Sequence, residues 1–210
     1  CDCPRVHRVL GIDMDAELTF APLLSRSLAI GRAKFAELHN AAESSGLGPV
    51  VTSAQVLSRV EPAVLYGAPF FILADGAVAA LNRMQAQWAR SILGCSLNVH
   101  ISWAILVAQC GWDFRLGARA WETAFVSLAR LSVLPAGHPA ARVAEAARAS
   151  CLRTWFRTVR AMLRTVVPGH PILEIGFCPT LASDVARALE CSASRKLALR
   201  RYRWEIVRPV

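Results

Sequence analysis

Four arginines, Arg153, Arg157, Arg160 and Arg164, recur at steps of four, three and four residues. At ~100° per residue they occupy an arc of about 60° on one side of a helix. Leu152, Phe156, Val159 and Leu163 take the opposite side. A guanidinium forks onto phosphate oxygens and stacks on bases, so such a face suits a nucleic-acid backbone. No acidic residue lies between residues 146 and 173, and a polyanion would relieve the mutual repulsion of the stripe. A second basic run carries Arg195, Lys196, Arg200, Arg201, Arg203 and Arg208, interleaved with Tyr202 and Trp204. The run adds cations beside stacking rings, a pairing suited to nucleic acid. A solvated polar face and an ordinary terminal amphipathic helix account for the same two patterns without a ligand.

Other candidate groups are weaker. Asp13-x-Asp15 has the residue type that holds Mg²⁺ between protein and phosphate. Aspartates also favour turns, and a solvated turn over 13–17 is the preferred reading. Cys1, Cys3 and His7, and Cys151, His170, Cys178 and Cys191, lack the short paired spacings of zinc sites, so no metal site is expected. His39, His100, His138 and His170 stand singly, away from any carboxylate or cysteine at triad spacing. There is no glycine-rich phosphate loop, His-Glu-x-x-His or Gly-x-Ser-x-Gly, and no catalytic residue is expected. Arg83, Gln87 and Arg90 form a polar stripe opposite Met84 and Trp88, read as surface, and most of the six tryptophans are read as core.

Composition narrows the classes. The 210 residues are 54% hydrophobic, enough for a real core and too many for a disordered chain. The longest apolar run, Ala63 to Ala74, is broken by Gly67 and Pro69 and is too short to span a bilayer. The net charge of +9 is asymmetric: residues 1–110 hold eight basic and eight acidic side chains, residues 111–210 hold 16 and seven. A charge confined to one half marks a partner-binding half. Seven cysteines, an odd number, fit a reducing intracellular compartment better than a disulfide scaffold. The opening Cys1-Asp2-Cys3-Pro4 carries neither initiator methionine nor leader, so the sequence reads as a fragment.

The elements that must position these groups are mostly helices. A short strand from Val6 to Asp13 and a return through Leu18 to Phe20 are expected at the start. Pro22 opens a helix with Leu24, Leu28, Gly31, Phe35 and Leu38 on its buried face, ended by Ser44 to Pro49. Pro62 should kink the next helix and Gly67-Ala68-Pro69 bend it again. Asp75 is placed to cap a helix with a Leu81, Met84, Trp88 and Ile92 stripe, stopped by Gly94. Helices follow from Ser102 to Cys110 and, capped by Asp113, through Trp121 and Leu128 to Leu131. Residues 133–139 form a Pro/Gly linker. Helices near 140–150, 151–165, 181–191 and 194–204 complete a mainly α chain.

Three phrases carry a resemblance. Leu10-Gly11 is followed by Asp15, Leu18, Thr19 and Phe20. Then come Glu61-Pro62-Ala63-Val64-Leu65-Tyr66-Gly67-Ala68, and Leu81-Asn82-Arg83-Met84-Gln85 running on through Trp88 to Gly94, with Gly111-Trp112 beyond. In this order, residues 6 to 135 resemble the segment after the catalytic palm of LINE-like (non-LTR) retrotransposon reverse transcriptases. Leu23, where that family often has histidine, and Phe71, where it has tryptophan, depart from the pattern. The resemblance implies a helical thumb-like bundle with a short N-terminal β-hairpin: residues 1–20 as the hairpin ending a palm, 21–134 as the thumb-like domain, 135–210 as a basic segment. It implies a primer-grip role for Leu10 and Gly11, and a non-catalytic fragment that helps hold an RNA or RNA/DNA template–primer duplex. The catalytic Asp-Asp pair, its Mg²⁺ ions and the fingers would lie upstream in the same polyprotein. The nucleic-acid contacts are expected at Arg153, Arg157, Arg160, Arg164, Arg200, Arg201 and Arg203, with no membrane partner. The alternative is a degenerate or repurposed helical module whose arginines meet an acidic protein surface.

Overall fold

The computed structural model describes residues 6–9, 12–15, 19–96, 100–112, 115–132, 134–135, 137–149 and 155–166, and the described chain is mainly helical. Strands β1 (Val6–Val9) and β2 (Ile12–Asp15) pair antiparallel, with Val6 opposite Asp15 and Val9 opposite Ile12. Asp13 to Asp15, expected in a turn over 13–17, are therefore strand, and residues 16 and 17 lie outside the described residues. Ile12 and Met14 alternate with the two aspartates, a period-two pattern that a strand accommodates. Leu10, Gly11 and Leu18 lie outside the described residues.

The chain divides into two compact units, residues 1–120 and 121–210. In the first, α1 (Ala21–Ser44) carries Pro22 in its first turn and buries Leu23, Leu24, Ser27, Gly31, Phe35, Leu38 and Ala42. The expected face is there, although Leu28 is only half-buried. Before it, Phe20 holds a left-handed backbone at φ 57°, and its buried ring lies 5.8 Å from that of Phe70. A β-carbon on Gly31 would stand 2.6 Å from Val64 Cγ2 and 3.0 Å from Met84 Sδ, so the glycine is what lets these elements meet.

The expected kink at Pro62 takes a specific form. α2 (Pro49–Gln55) runs into a π-helical turn (Val56–Val60), then α3 (Glu61–Leu65) and α4 (Ala68–Phe71). Proline has no N–H to give the Ser58 carbonyl, and its ring would crowd that oxygen. The backbone widens instead, and the Glu61 N–H donates to the Val56 carbonyl.

α5 (Ala77–Ile92) buries Leu81, Met84, Trp88 and Ile92, as its periodicity requires. Asp75 does not cap it. Gly76 occupies the cap position with no side-chain hydrogen bond, leaving Asp75 exposed. At the other end Gly94, at φ 62°, donates to the Ser91 carbonyl and Cys95 to that of Arg90, which closes the helix with a Schellman turn. α6 (Trp103–Cys110) begins at Ser102, whose Oγ accepts the Ile105 N–H at 3.4 Å. α7 (Leu116–Ser132) follows; Asp113, expected to cap it, lies outside the described residues.

The second unit holds most of α7, then α8 (Pro139–Ala149) and α9 (Trp155–Val166), which pack together. His138 Nδ1 accepts the Ala140 N–H at 3.1 Å and so caps α8. The helices expected after residue 167 lie outside the described residues. Among the described residues no helix is long and apolar enough to cross a membrane.

Candidate nucleic-acid interface

α9 forms because Trp155 to Val166 has one apolar face and contains neither glycine nor proline. Val159 is fully buried, while Arg157 is exposed and Arg160 half-buried. The helical register sets Arg157, Arg160 and Arg164 within about 60° of one another, and Val159 across from them. Of the expected basic contacts, this helix therefore brings three onto one face. Arg153, Arg200, Arg201 and Arg203 lie outside the described residues, as do Leu10 and Gly11.

Three polar residues of the phrases, Glu61, Asn82 and Gln85, serve the first unit's interior. Gln85 sits on the apolar face of α5, buried, and its Oε1 accepts the Leu116 N–H at 2.6 Å. Asn82, one turn earlier, accepts the Gly117 N–H through Oδ1 at 2.9 Å. The first turn of any helix has N–H groups without intrahelical partners. Here two side-chain amides of α5 fill that role for α7.

Glu61 is the most consequential acid of the unit. Its carboxylate is buried and accepts from Arg119 Nε at 2.8 Å, with Arg119 itself partly exposed. Trp112 Nε1 donates to the Ser53 carbonyl at 3.5 Å, which ties the chain after α6 to α2. Cys110 is buried beside this point, and burial pushes its thiol pKa above the ordinary value. The nearby Ser53 hydroxyl pulls the other way, and Cys95 adds a small rise. By distance and angle the Ser53 Oγ makes no hydrogen bond among the described residues.

Sequence reasoning did not find these roles, yet one signal was present. A glutamine at position 85 interrupts the apolar rows of Leu81 and Trp88, where a buried polar group must have a partner. Glu61 and Arg119 are 58 residues apart, and nothing local links them.

No family model, curated protein or solved structure matches this chain.

Arg83 and Gln87 are exposed, as expected of a surface stripe, whereas Arg90 is half-buried with its Nε enclosed. The Arg115 guanidinium lies 5.4 Å from the Trp103 ring centre. Trp88, Trp112 and Trp121 are buried, in keeping with a core role. A two-metal site needs carboxylates converging from several elements. Asp13 and Asp15 share one strand, where the register sets Asp13 opposite Arg8. Among the described residues no three His, Cys, Asp or Glu side chains gather.

Proposed function

We propose that this chain is the thumb-side, non-catalytic part of a LINE-like retrotransposon RNA-directed DNA polymerase, and that it helps hold the template–primer duplex. The observation that carries this reading is the α9 face: Arg157 exposed, Arg160 and Arg164 on the same arc, Val159 buried opposite. A duplex with an RNA strand is A-like and is gripped by shape and backbone, which a row of guanidiniums can do without reading bases.

The phrases behind the resemblance add support. Glu61, Asn82 and Gln85 spend their polarity on holding α7, so these short motifs build a stiff helical scaffold. The two departures, Leu23 and Phe71, are buried. In this reading β1 and β2 are the hairpin ending a palm, Leu10 and Gly11 between them approach the primer end, and residues 21–134 are the thumb-like bundle. The polymerase carboxylates and Mg²⁺ belong upstream.

Binding to an RNA/DNA duplex, titrated against salt, tests the proposal. Replacing Arg153, Arg157, Arg160 and Arg164 by glutamine nearly preserves helix propensity. Each phosphate left without its arginine should lower the slope of log K against log salt by roughly 0.9 on B-form DNA, with a similar order on the hybrid. Unchanged affinity would move the binding face to Arg200, Arg201 and Arg203. If those are silent too, the acidic-protein partner replaces nucleic acid.

A further inference from the structure

The first unit carries a groove of about 510 Å³ between α1 and the segment formed by α2 and the π-helical turn. Leu38, Ala41 and Val60 line it, and Leu47 of the connecting turn closes one end. α1 and α2 form a helical hairpin, in which Lys34 and Arg59 are nearly equidistant in sequence from the turn. Both are exposed and both line the groove, so two cations flank its open end against one acid, Glu37.

The apolar surface does not stop at the groove. Val51 is 48% exposed. Val51 lies one turn before the groove residue Gln55 on the same face of α2. A small molecule filling the groove would leave Val51 in water, whereas a helix laid along it covers both. Ala41 keeps the floor low enough for close approach. The π-helical turn, a local distortion frequent at functional sites, carries Arg59 to this surface.

We infer that the groove receives an amphipathic helix of a partner protein, with an apolar ridge at i, i+3 or i+4, and i+7, and Asp or Glu at the end that meets Lys34 and Arg59. From Lys34 to Ser45 at ~1.5 Å per residue the groove holds about three helical turns. This surface is separate from the α9 face and does not depend on the nucleic-acid reading.

Two labelled helical peptides with identical Leu/Ala ridges test it, one ending in a glutamate pair and the other in a lysine pair. Fluorescence anisotropy with the full chain at low salt should show the glutamate peptide binding about tenfold tighter, since rim charges act mainly through steering and modest ion pairs. Lys34→Glu with Arg59→Glu should invert that preference. Ala41→Trp, at an exposed position, should abolish binding of both peptides, and excess RNA/DNA duplex should displace neither. Equal affinity for the two peptides, a preference unmoved by charge reversal, or binding that survives Ala41→Trp would overturn the inference. Self-association lost in Ala41→Trp would assign the groove to a second copy, and uptake of dodecanoate with neither peptide bound would assign it to a small amphiphile. Either result overturns the partner helix.

Discussion

Glu61 illustrates how a single residue changes meaning between sequence and structure. In the sequence it opens a motif; in the fold it is a buried carboxylate whose charge is met by Arg119. Removing one member of a buried pair strands the other, a cost of about 3–5 kcal/mol when both are enclosed. Arg119 is partly exposed and water can reach the site, so Arg119→Met should cost about 1–3 kcal/mol. The double variant Glu61→Leu/Arg119→Met should be more stable than Arg119→Met alone, which a urea-unfolding cycle would measure. Cys110 yields a pH prediction. Its folded pKa is raised above the ordinary value of 9.0, so the folded protein favours the neutral thiol. That contribution is complete below the unfolded pKa and is lost as pH rises through it towards the folded value. Unfolding titrations at neutral and strongly alkaline pH should show wild type losing more stability than Cys110→Ala over that interval. An equal loss in both would remove the thiol from the account.

At the scale of elements, close approach dominates. α1 meets Val64 of α3 and Met84 of α5 at Gly31, where a β-carbon would overlap a valine methyl. Alanine normally favours a helix over glycine by about 1 kcal/mol. Here the overlap wins: valine is stiff at χ1, and overpacking costs about 1–3 kcal/mol. Gly31→Ala should therefore lower the melting temperature, and Gly31→Ala/Val64→Ala should recover much of the loss. A stabilised single variant would mean that the helices slide apart more freely than this packing allows. The same logic explains the π-helical turn. Pro62 forbids regular bonding, and the chain answers by widening one turn while Val56, Val60 and Val64 remain buried.

At the scale of the molecule, α7 decides where the chain can be cut. Its first turn is held by Asn82 and Gln85, and Arg119 pairs with Glu61. Truncation after Pro135 keeps all of α7 and should leave a cooperatively folding N-terminal piece. Truncation before Leu116 removes the partners of a buried glutamate and a buried glutamine, and should abolish cooperative melting by circular dichroism. Limited proteolysis offers an independent reading: early cuts within 20–95, with 133–139 protected, would contradict this layout.

Much of the helical plan was legible in the sequence. The Leu81, Met84, Trp88 and Ile92 stripe, the stop at Gly94, the break at Pro62 and the helix after Pro139 follow from periodicity and from the backbone limits of glycine and proline, which act over a few residues. The amphipathic pattern of α9 was equally local, and so was its basic face. The strand holding Asp13 and Asp15 was not, because turn preference and strand alternation compete in so short a stretch. Nor could Asp75 be judged, since a neighbouring glycine took the cap position. Only the tertiary structure decided that Gln85 and Asn82 cap a helix more than 30 residues away, that Glu61 finds Arg119, and that Lys34 and Arg59 flank one groove. Those pairings depend on how helices cross, and crossing is set by packing of the whole unit, which no local spacing encodes.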